Sequence, residues 1–449
     1  MLNPFHQGKK IAITGTFGSG KSVFMLSLLH NLHHLDPQNF RLGDKRAKTP
    51  ISIKSIRGLP LKEEHQAFPY RVFVKKLIKP GGGNWPNRVH SIQRYRCAYR
   101  RSDRLKRQGI DLMSFPLERL IDLPIVRTER YSDWSDSVLY QIDQDSKASR
   151  QARQYIQHLD APEIQTERLT QVYKNLLTQF IFDYKTFVAP SSFMIDLNGS
   201  RIDGGAPEVV SQYRYVGLPP VDRERSREFI PLSGIARMRV PQFVEDQEAS
   251  YQLYRSQILK PLFKEVNECE TLIILFDIPS ILASGRAALD EQYWLLNQLK
   301  LLLRGKKRTG QVLGKSNISK VALVANKADL VRTFERDARL PSLLRQLTDE
   351  FVEVLHPHVQ VGRFICSPCV ATRPHSDPER LIGRLIHNAK NPERIDRPFD
   401  VPEVPRYWPT EFQARDYPFY KVWPPALQAH QKQPDHHRLD DICRFILDS

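Results

Sequence analysis

Long hydrophobic runs are missing from this 449-residue chain. No unbroken apolar stretch exceeds the five residues from Leu272 to Phe276, whereas a helix that crosses a bilayer needs about 20, so no transmembrane segment is expected. The N-terminal stretch before Ile11 has no apolar run of signal-peptide length, which leads to the expectation of a cytoplasmic protein with nothing removed. Cysteine is sparse as well. There are five, an odd count, and only Cys366 and Cys369 stand close together, so no disulfide framework suggests itself and a reducing compartment fits.

What is present is the composition of a soluble globular protein, 41% hydrophobic and 26% charged. The length suits about three average domains or one large domain carrying insertions. Lysine and arginine exceed the acids by 67 − 50 = 17, which favours an anionic partner: nucleotide, nucleic acid or the acidic face of a membrane.

Ile11 to Thr14 reads as a short buried strand, and Val23 to Leu32 as a helix, with a glycine-rich loop between them. From Pro37 to Asn87 prolines and Gly81-Gly82-Gly83 break the chain into loops and edge strands. Ile92 to Tyr99 and Gly109 to Phe115 are strand-length runs around a polar turn, an antiparallel pair. Leu169, Val172, Tyr173, Leu176, Leu177 and Phe180 then follow helical spacing, and a second helical segment is expected over about Asp246 to Glu268. Thr271 to Asp277 and Val321 to Ala325, separated by helical sequence from about Ala287 to Leu303, have the spacing of parallel strands joined by a crossover helix. Pro392 to Pro425 reads as irregular and Leu439 to Leu447 as a closing helix. The expected fold is a three-layer α/β nucleotide domain, residues 1–126 and 269–449, with a mainly helical insertion at 127–268.

Two motifs carry chemistry. Gly15-Thr16-Phe17-Gly18-Ser19-Gly20-Lys21-Ser22 fits the phosphate-binding pattern G-x-x-x-x-G-K-[ST] between a strand and a helix, with Val23 continuing into that helix. Glycines let the loop curl so that backbone N–H groups converge on phosphate oxygens, and the helix N-terminus adds positive charge. Lys21 would bridge the β- and γ-phosphates, and the Ser22 hydroxyl would ligate Mg²⁺. Asn326-Lys327-Ala328-Asp329 ends a buried strand. A carboxylate at Asp329 can accept from guanine N1–H and the 2-amino group together, donors that adenine does not present together. Asn326 would brace the site and the Lys327 stem would lie over the base. Ser367, Pro368 and Cys369 follow the next strand, where backbone N–H groups could meet guanine O6.

The coupling to the γ-phosphate is altered. Where a GTPase has Asp-x-x-Gly after a strand, Ser114 and Leu117 stand at the two marked positions, and serine brings no charge to a metal's water shell. A competing Asp-x-x-Gly occurs at Asp196 to Gly199, within the expected insertion. The basic segment Arg94, Arg96, Arg100, Arg101, Arg104, Lys106 and Arg107 reads either as ordinary edge-strand protection or as a strip for nucleic acid or acidic lipid. The histidines at 30, 33, 34, 430, 436 and 437 have no acid or cysteine at ligand spacing.

With these residues, the chain resembles the YcjX-like family of bacterial P-loop GTPases. The resemblance rests on the phosphate loop, Leu120-Ile121-Asp122-Leu123-Pro124, Leu272 to Asp277 followed by Ala283-Ser284-Gly285, the Asn-Lys-x-Asp element, and His437-Arg438-Leu439-Asp440 with Phe445. It implies a Ras-like nucleotide domain interrupted by a helical domain, GTP or GDP with Mg²⁺ as ligands, and a stress-related role. The chain departs from the family's Asp-Tyr-Pro-Gly-Glu at Ser114-Phe115-Pro116-Leu117-Glu118, and near Trp85-Pro86 it has Asn87, Arg88 and Val89 in place of a switch threonine. Three expectations follow: a GTPase with weak hydrolysis, a non-hydrolysing GTP- or GDP-loaded scaffold for a protein partner, and an anionic-surface binder peripheral to the inner membrane.

Overall fold

Strand β1 (Lys9–Gly15) is buried from Ile11 onward, and so are β7 (Thr271–Phe276) and most of β8 (Lys320–Ala325). Continuous burial instead of alternation is what parallel strands covered on both faces produce. In the computed structural model these strands form the centre of a seven-stranded sheet in the order β2-β3-β4-β1-β7-β8-β9. The flanking strands are β2 (Ile53–Leu59), β3 (Gln93–Arg101), β4 (Gln108–Ser114) and β9 (Gln360–Ile365). From β4 to β9 the neighbours run parallel, whereas β2-β3 and β3-β4 are antiparallel, with Arg96 opposite Asp111. The structure describes residues 8–447 except 17, 35–39, 43–50, 63–64, 80–81, 87–91, 145–148, 183–194, 197–214, 217–226, 305–315, 332–337, 387–394, 415, 428–430 and 432.

Because successive strand residues point to opposite faces, β1 sends Ile11 and Ile13 to one side and Ala12 to the other. The first face packs on α1 (Lys21–His34), α2 (Tyr70–Leu77) and a C-terminal helix (Leu439–Leu447), through Phe24, Leu28, Phe73, Ile442 and Ile446. The opposite face meets the long helices Arg286–Arg304 and Arg339–Glu353 through Leu295, Leu299, Leu343 and Leu347.

Between β4 and β7 the described chain is mostly helical. It contains α3 (Leu123–Arg127), α4 (Tyr131–Gln144), α5 (Ser149–Asp160), α6 (Thr166–Phe182), α7 (Gly234–Arg239), α8 (Pro241–Leu253) and α9 (Lys260–Glu268), with a π-helical stretch at Tyr254–Leu259. Its core is aromatic. Trp134 meets Phe229 edge to face at 5.1 Å, and the Tyr155 and Tyr251 hydroxyls donate to the Pro231 and Thr128 carbonyls at 2.6 and 2.7 Å. These side chains belong to the same buried cluster as Leu272 and Ile274 of the sheet. A two-stranded pair, β5 (Ile195–Asp196) and β6 (Tyr215–Val216), stands apart from the large sheet.

The hairpin, the crossover helix and the closing helix form where the sequence predicts them. Two stretches differ. Pro37 to Asn87, read as loops and edge strands, also contains α2, whose Phe73 and Leu77 complete the core over α1. Pro392 to Pro425, read as irregular, contributes β12 (Arg397–Asp400) to a three-stranded antiparallel sheet with β10 (Thr372–Pro374) and β11 (Arg380–Gly383).

Candidate functional site

The loop after β1 turns tightly before α1. Ser19 N–H donates to the Thr16 carbonyl at 3.0 Å, and the first helical bond runs from Phe24 N–H to the Gly20 carbonyl at 2.8 Å. Gly20 has φ +92°, and a Cβ there would lie 2.5 Å from Asn326 Nδ2, so only glycine fits. The Lys21 ammonium folds back onto the loop, donating to the Gly15 carbonyl at 2.7 Å and the Thr16 carbonyl at 3.1 Å. Burial pulls the Lys21 pKa down, and the Lys327 charge adds to that, against an opposing pull from Glu118. The Ser19 hydroxyl is buried without a hydrogen-bond partner among the described residues. Phe17 lies outside the described residues.

At the end of β8, Asn326 N–H donates to the Phe276 carbonyl at 2.8 Å and Asn326 Nδ2 donates to the Ser19 carbonyl at 2.6 Å. The second bond ties together the two sequence motifs. Lys327 is left-handed at φ +59°, a conformation that costs a non-glycine residue about 1–3 kcal/mol and tends to occur at functional sites. Its ammonium pairs with Asp277, which also caps the helix Ile278–Ser284 by accepting from Ser280 N–H at 3.1 Å and from its hydroxyl at 2.6 Å.

Asp329 is 4% exposed, and its carboxylate is held from both sides. Oδ1 accepts from the Ser367 hydroxyl at 2.8 Å, and Oδ2 accepts from Ala371 N–H at 2.8 Å. Each oxygen keeps further acceptor capacity. Burial raises its pKa, partly offset by the Ala371 and Ser367 hydrogen bonds and the Lys327 charge. Ser367 is fixed in turn by a two-way backbone pairing with His437 at 3.1 and 2.8 Å. Burial also holds the Cys366 and Cys369 thiols well above their ordinary range, so both are neutral.

One cleft of 280 Å³ joins these parts, near the lower limit for ligand pockets of about 300 Å³. Gly18, Gly20, Lys21, Ser22 and Val23 form one side, and Asn326, Lys327, Asp329, Pro368 and Cys369 another. Sequence reasoning missed much of the remaining lining, including Trp85, Pro279, Ile386 and residues 419–422. In the sequence Trp85 stands out only by the threonine absent beside it, and residues 419–422 match no motif.

Ser114 ends β4 opposite Ile13, and Phe115 N–H donates to the Ile13 carbonyl at 3.0 Å. The next turn, Leu117–Asp122, is buried at every residue. Leu117 is 0% exposed. Asp122 accepts from the Tyr254 hydroxyl at 2.5 Å, and Arg119 donates to the same hydroxyl at 3.2 Å, so the turn is anchored to the helical region. Of the competing Asp-x-x-Gly, Asp196 lies in β5, away from the large sheet, while Gly199 lies outside the described residues, as do Asn87, Arg88 and Val89.

The basic segment is not one exposed strip. Arg94 is buried and paired with Glu265, Arg101 is buried against Asp103 at 2.9 Å, and Arg96 lies 3.4 Å from Asp111. Arg100, Lys106 and Arg107 are exposed and Arg104 is half-buried. His30 and His33 meet the Tyr70 and Tyr95 hydroxyls at 3.2 and 3.1 Å. Among the described residues no helix is long and apolar enough to cross a membrane.

The family model described as the YcjX-like family, DUF463, matches residues 9–449. No curated protein matches the chain.

Proposed function

Because the chain belongs to the YcjX-like family and carries this cleft, we propose that it is a guanine-nucleotide-binding protein of the P-loop class with weak GTP hydrolysis. In this reading residues 1–126 and 269–449 form a three-layer Ras-like domain, and 127–268 are a helical insertion. The observation that carries it is the 2.6 Å bond from Asn326 to the Ser19 carbonyl, which joins the Asn-Lys-x-Asp element to the glycine-rich loop within one cleft. Neither motif alone would be specific; their contact across the fold is what a nucleotide, with a base at one end and phosphates at the other, requires.

The residues fit the ligand. Lys21 would exchange the Gly15 and Thr16 carbonyls for β- and γ-phosphate oxygens, a gain for an ammonium whose burial depresses its pKa. The Ser19 hydroxyl, without a hydrogen-bond partner among the described residues, supplies a further donor beside the loop. Ser22 would hold Mg²⁺ together with phosphate oxygens; the ion would neutralise phosphate charge. Asp329, fixed by Ser367 and Ala371, keeps acceptor capacity for guanine N1–H and the 2-amino group.

Hydrolysis is the weak function. Ser114 offers no carboxylate to the metal's water shell, and the buried Leu117–Asp122 turn restrains the segment that would follow the γ-phosphate. That same burial favours the second reading, a GTP- or GDP-loaded scaffold that engages a protein partner in the cytoplasm as part of a stress-related role. Single-turnover GTP hydrolysis, run beside measured GTP, GDP and ATP affinities, separates the two. Slow phosphate release that Lys21→Ala abolishes supports the GTPase; tight guanine nucleotide binding without release over hours leaves the scaffold.

A further inference from the structure

The cleft has a wall that neither the phosphate loop nor the base-reading motif accounts for. Residues 384–386 pair antiparallel with 421–423. Leu385 and Val422 form a β-bridge, Ile386 N–H donates to the Lys421 carbonyl at 2.9 Å, and Trp423 N–H donates to the Arg384 carbonyl at 2.7 Å. Val422 of this ladder and Tyr420 just before it line the same cleft as Gly20 and Asp329. Tyr420 also packs edge to face on Phe399 of β12 at 5.7 Å. Trp85, more than 300 residues earlier, donates its indole N–H to the Val422 carbonyl at 2.7 Å.

The wall also belongs to the base reader's own hydrogen-bonded unit. Ala371 N–H holds the Asp329 carboxylate, and the Thr372 hydroxyl bonds the Asp329 carbonyl. Thr372 opens β10, which pairs with β11, and β11 runs directly into the ladder at 384. Whatever moves the ladder therefore pulls on the group that would read the base.

We propose that this C-terminal ladder is the roof of the nucleoside half of the site. Tyr420 and Val422 close on the guanosine of a bound nucleotide, and the Trp85–Val422 hydrogen bond latches the roof shut. The inference rests on the guanine-nucleotide reading above. A roof of this composition excludes water from the Asp329 carboxylate, which strengthens its hydrogen bonds to the base. A nucleotide entering or leaving between the roof and Trp85 must part the latch, so the latch raises the barrier in both directions.

The test is release of tritiated GDP, chased with excess unlabelled GDP, from the full chain and from two variants that loosen the roof by different means. Trp85→Phe removes the indole donor and keeps an aromatic ring; Ile386→Pro removes the N–H that bonds Lys421. Losing one part-buried hydrogen bond should speed release about fivefold. Association should accelerate in proportion, so that Kd moves less than either rate, a pattern that simple loss of stability does not give. Circular dichroism selects the variants that fold. Release unchanged in a folded Trp85→Phe or Ile386→Pro chain overturns the roof while leaving guanine binding intact. A wild-type chain that binds no GDP overturns the guanine reading and the roof together.

Discussion

Rebuilding an Asp-x-x-Gly element by Ser114→Asp with Leu117→Gly should destabilise the chain before it improves turnover. Leu117 has no exposed surface and sits in the cluster with Phe115, Leu120 and Ile121. Truncating such a leucine to alanine costs about 2–5 kcal/mol, and continuing to glycine adds roughly 0.5–1 kcal/mol. Ser114 is only 9% exposed, so a carboxylate there adds a desolvation cost unless a metal meets it. The sum, about 3–6 kcal/mol, is a large part of the ~5–15 kcal/mol that holds a typical protein folded. At roughly 2 °C per kcal/mol for a large chain, the melting temperature should fall by about 6 °C or more. Thermal unfolding followed by circular dichroism measures this, with Leu117→Ala as the packing control. Single-turnover phosphate release, run where both proteins are folded, then reads the chemistry and should rise in the double variant. A double variant that melts within about 2 °C of the parent, an interval worth only ~1 kcal/mol, would refute the buried anchoring of this turn.

Tyr254→Phe removes the hydroxyl that joins Asp122 and Arg119. Deleting a hydrogen bond to a buried charge should cost about 1.5–3 kcal/mol in chemical denaturation, and an unchanged midpoint would mean that the helical region does not brace the turn. GDP affinity should fall at both ends of the pH scale. Asp329 has its pKa raised by burial, so as pH drops through that raised value it gains a proton and loses an acceptor, sooner than an ordinary aspartate near ~3.9 would. Lys21 has its pKa lowered, so it loses charge on the alkaline side before an ordinary lysine near ~10.4. Calorimetry across pH checks this: Asp329→Asn should weaken GDP binding and remove the acid limb while leaving the alkaline one.

Much of the site was legible because its motifs are local. A glycine-rich loop between strand and helix, and an Asn-Lys-x-Asp at a strand end, are each read from adjacent residues, and the central strands β1, β7 and β8 announce themselves by continuous apolar runs. The missed features are tertiary. Trp85 and Val422 meet only because the fold closes a separation of 337 residues, and no period or motif in either segment signals it. Leu117 looked like a lost glycine, whereas the structure makes it a core residue with its own packing reason to be there. Arg94 and Arg101 read in the sequence either as edge-strand protection or as part of a basic strip, yet Glu265 and Asp103 hold them inside; charge counted along a strand does not say which face is buried. The helix Tyr70–Leu77 is short and flanked by Pro69 and Pro80, so its helical spacing is masked by loop-type composition.

The most direct test is a calorimetric comparison of GDP with ADP on the wild-type chain and on Asp329→Asn. Two hydrogen bonds from guanine to a buried carboxylate, at ~1.5 kcal/mol or more each, give a preference of about 100-fold for GDP over ADP. The aspartate-to-asparagine change should abolish that preference and favour xanthosine diphosphate, whose base presents an acceptor where guanine has its amino group. Equal affinity for GDP and ADP, or no binding of either, would contradict guanine recognition at Asp329.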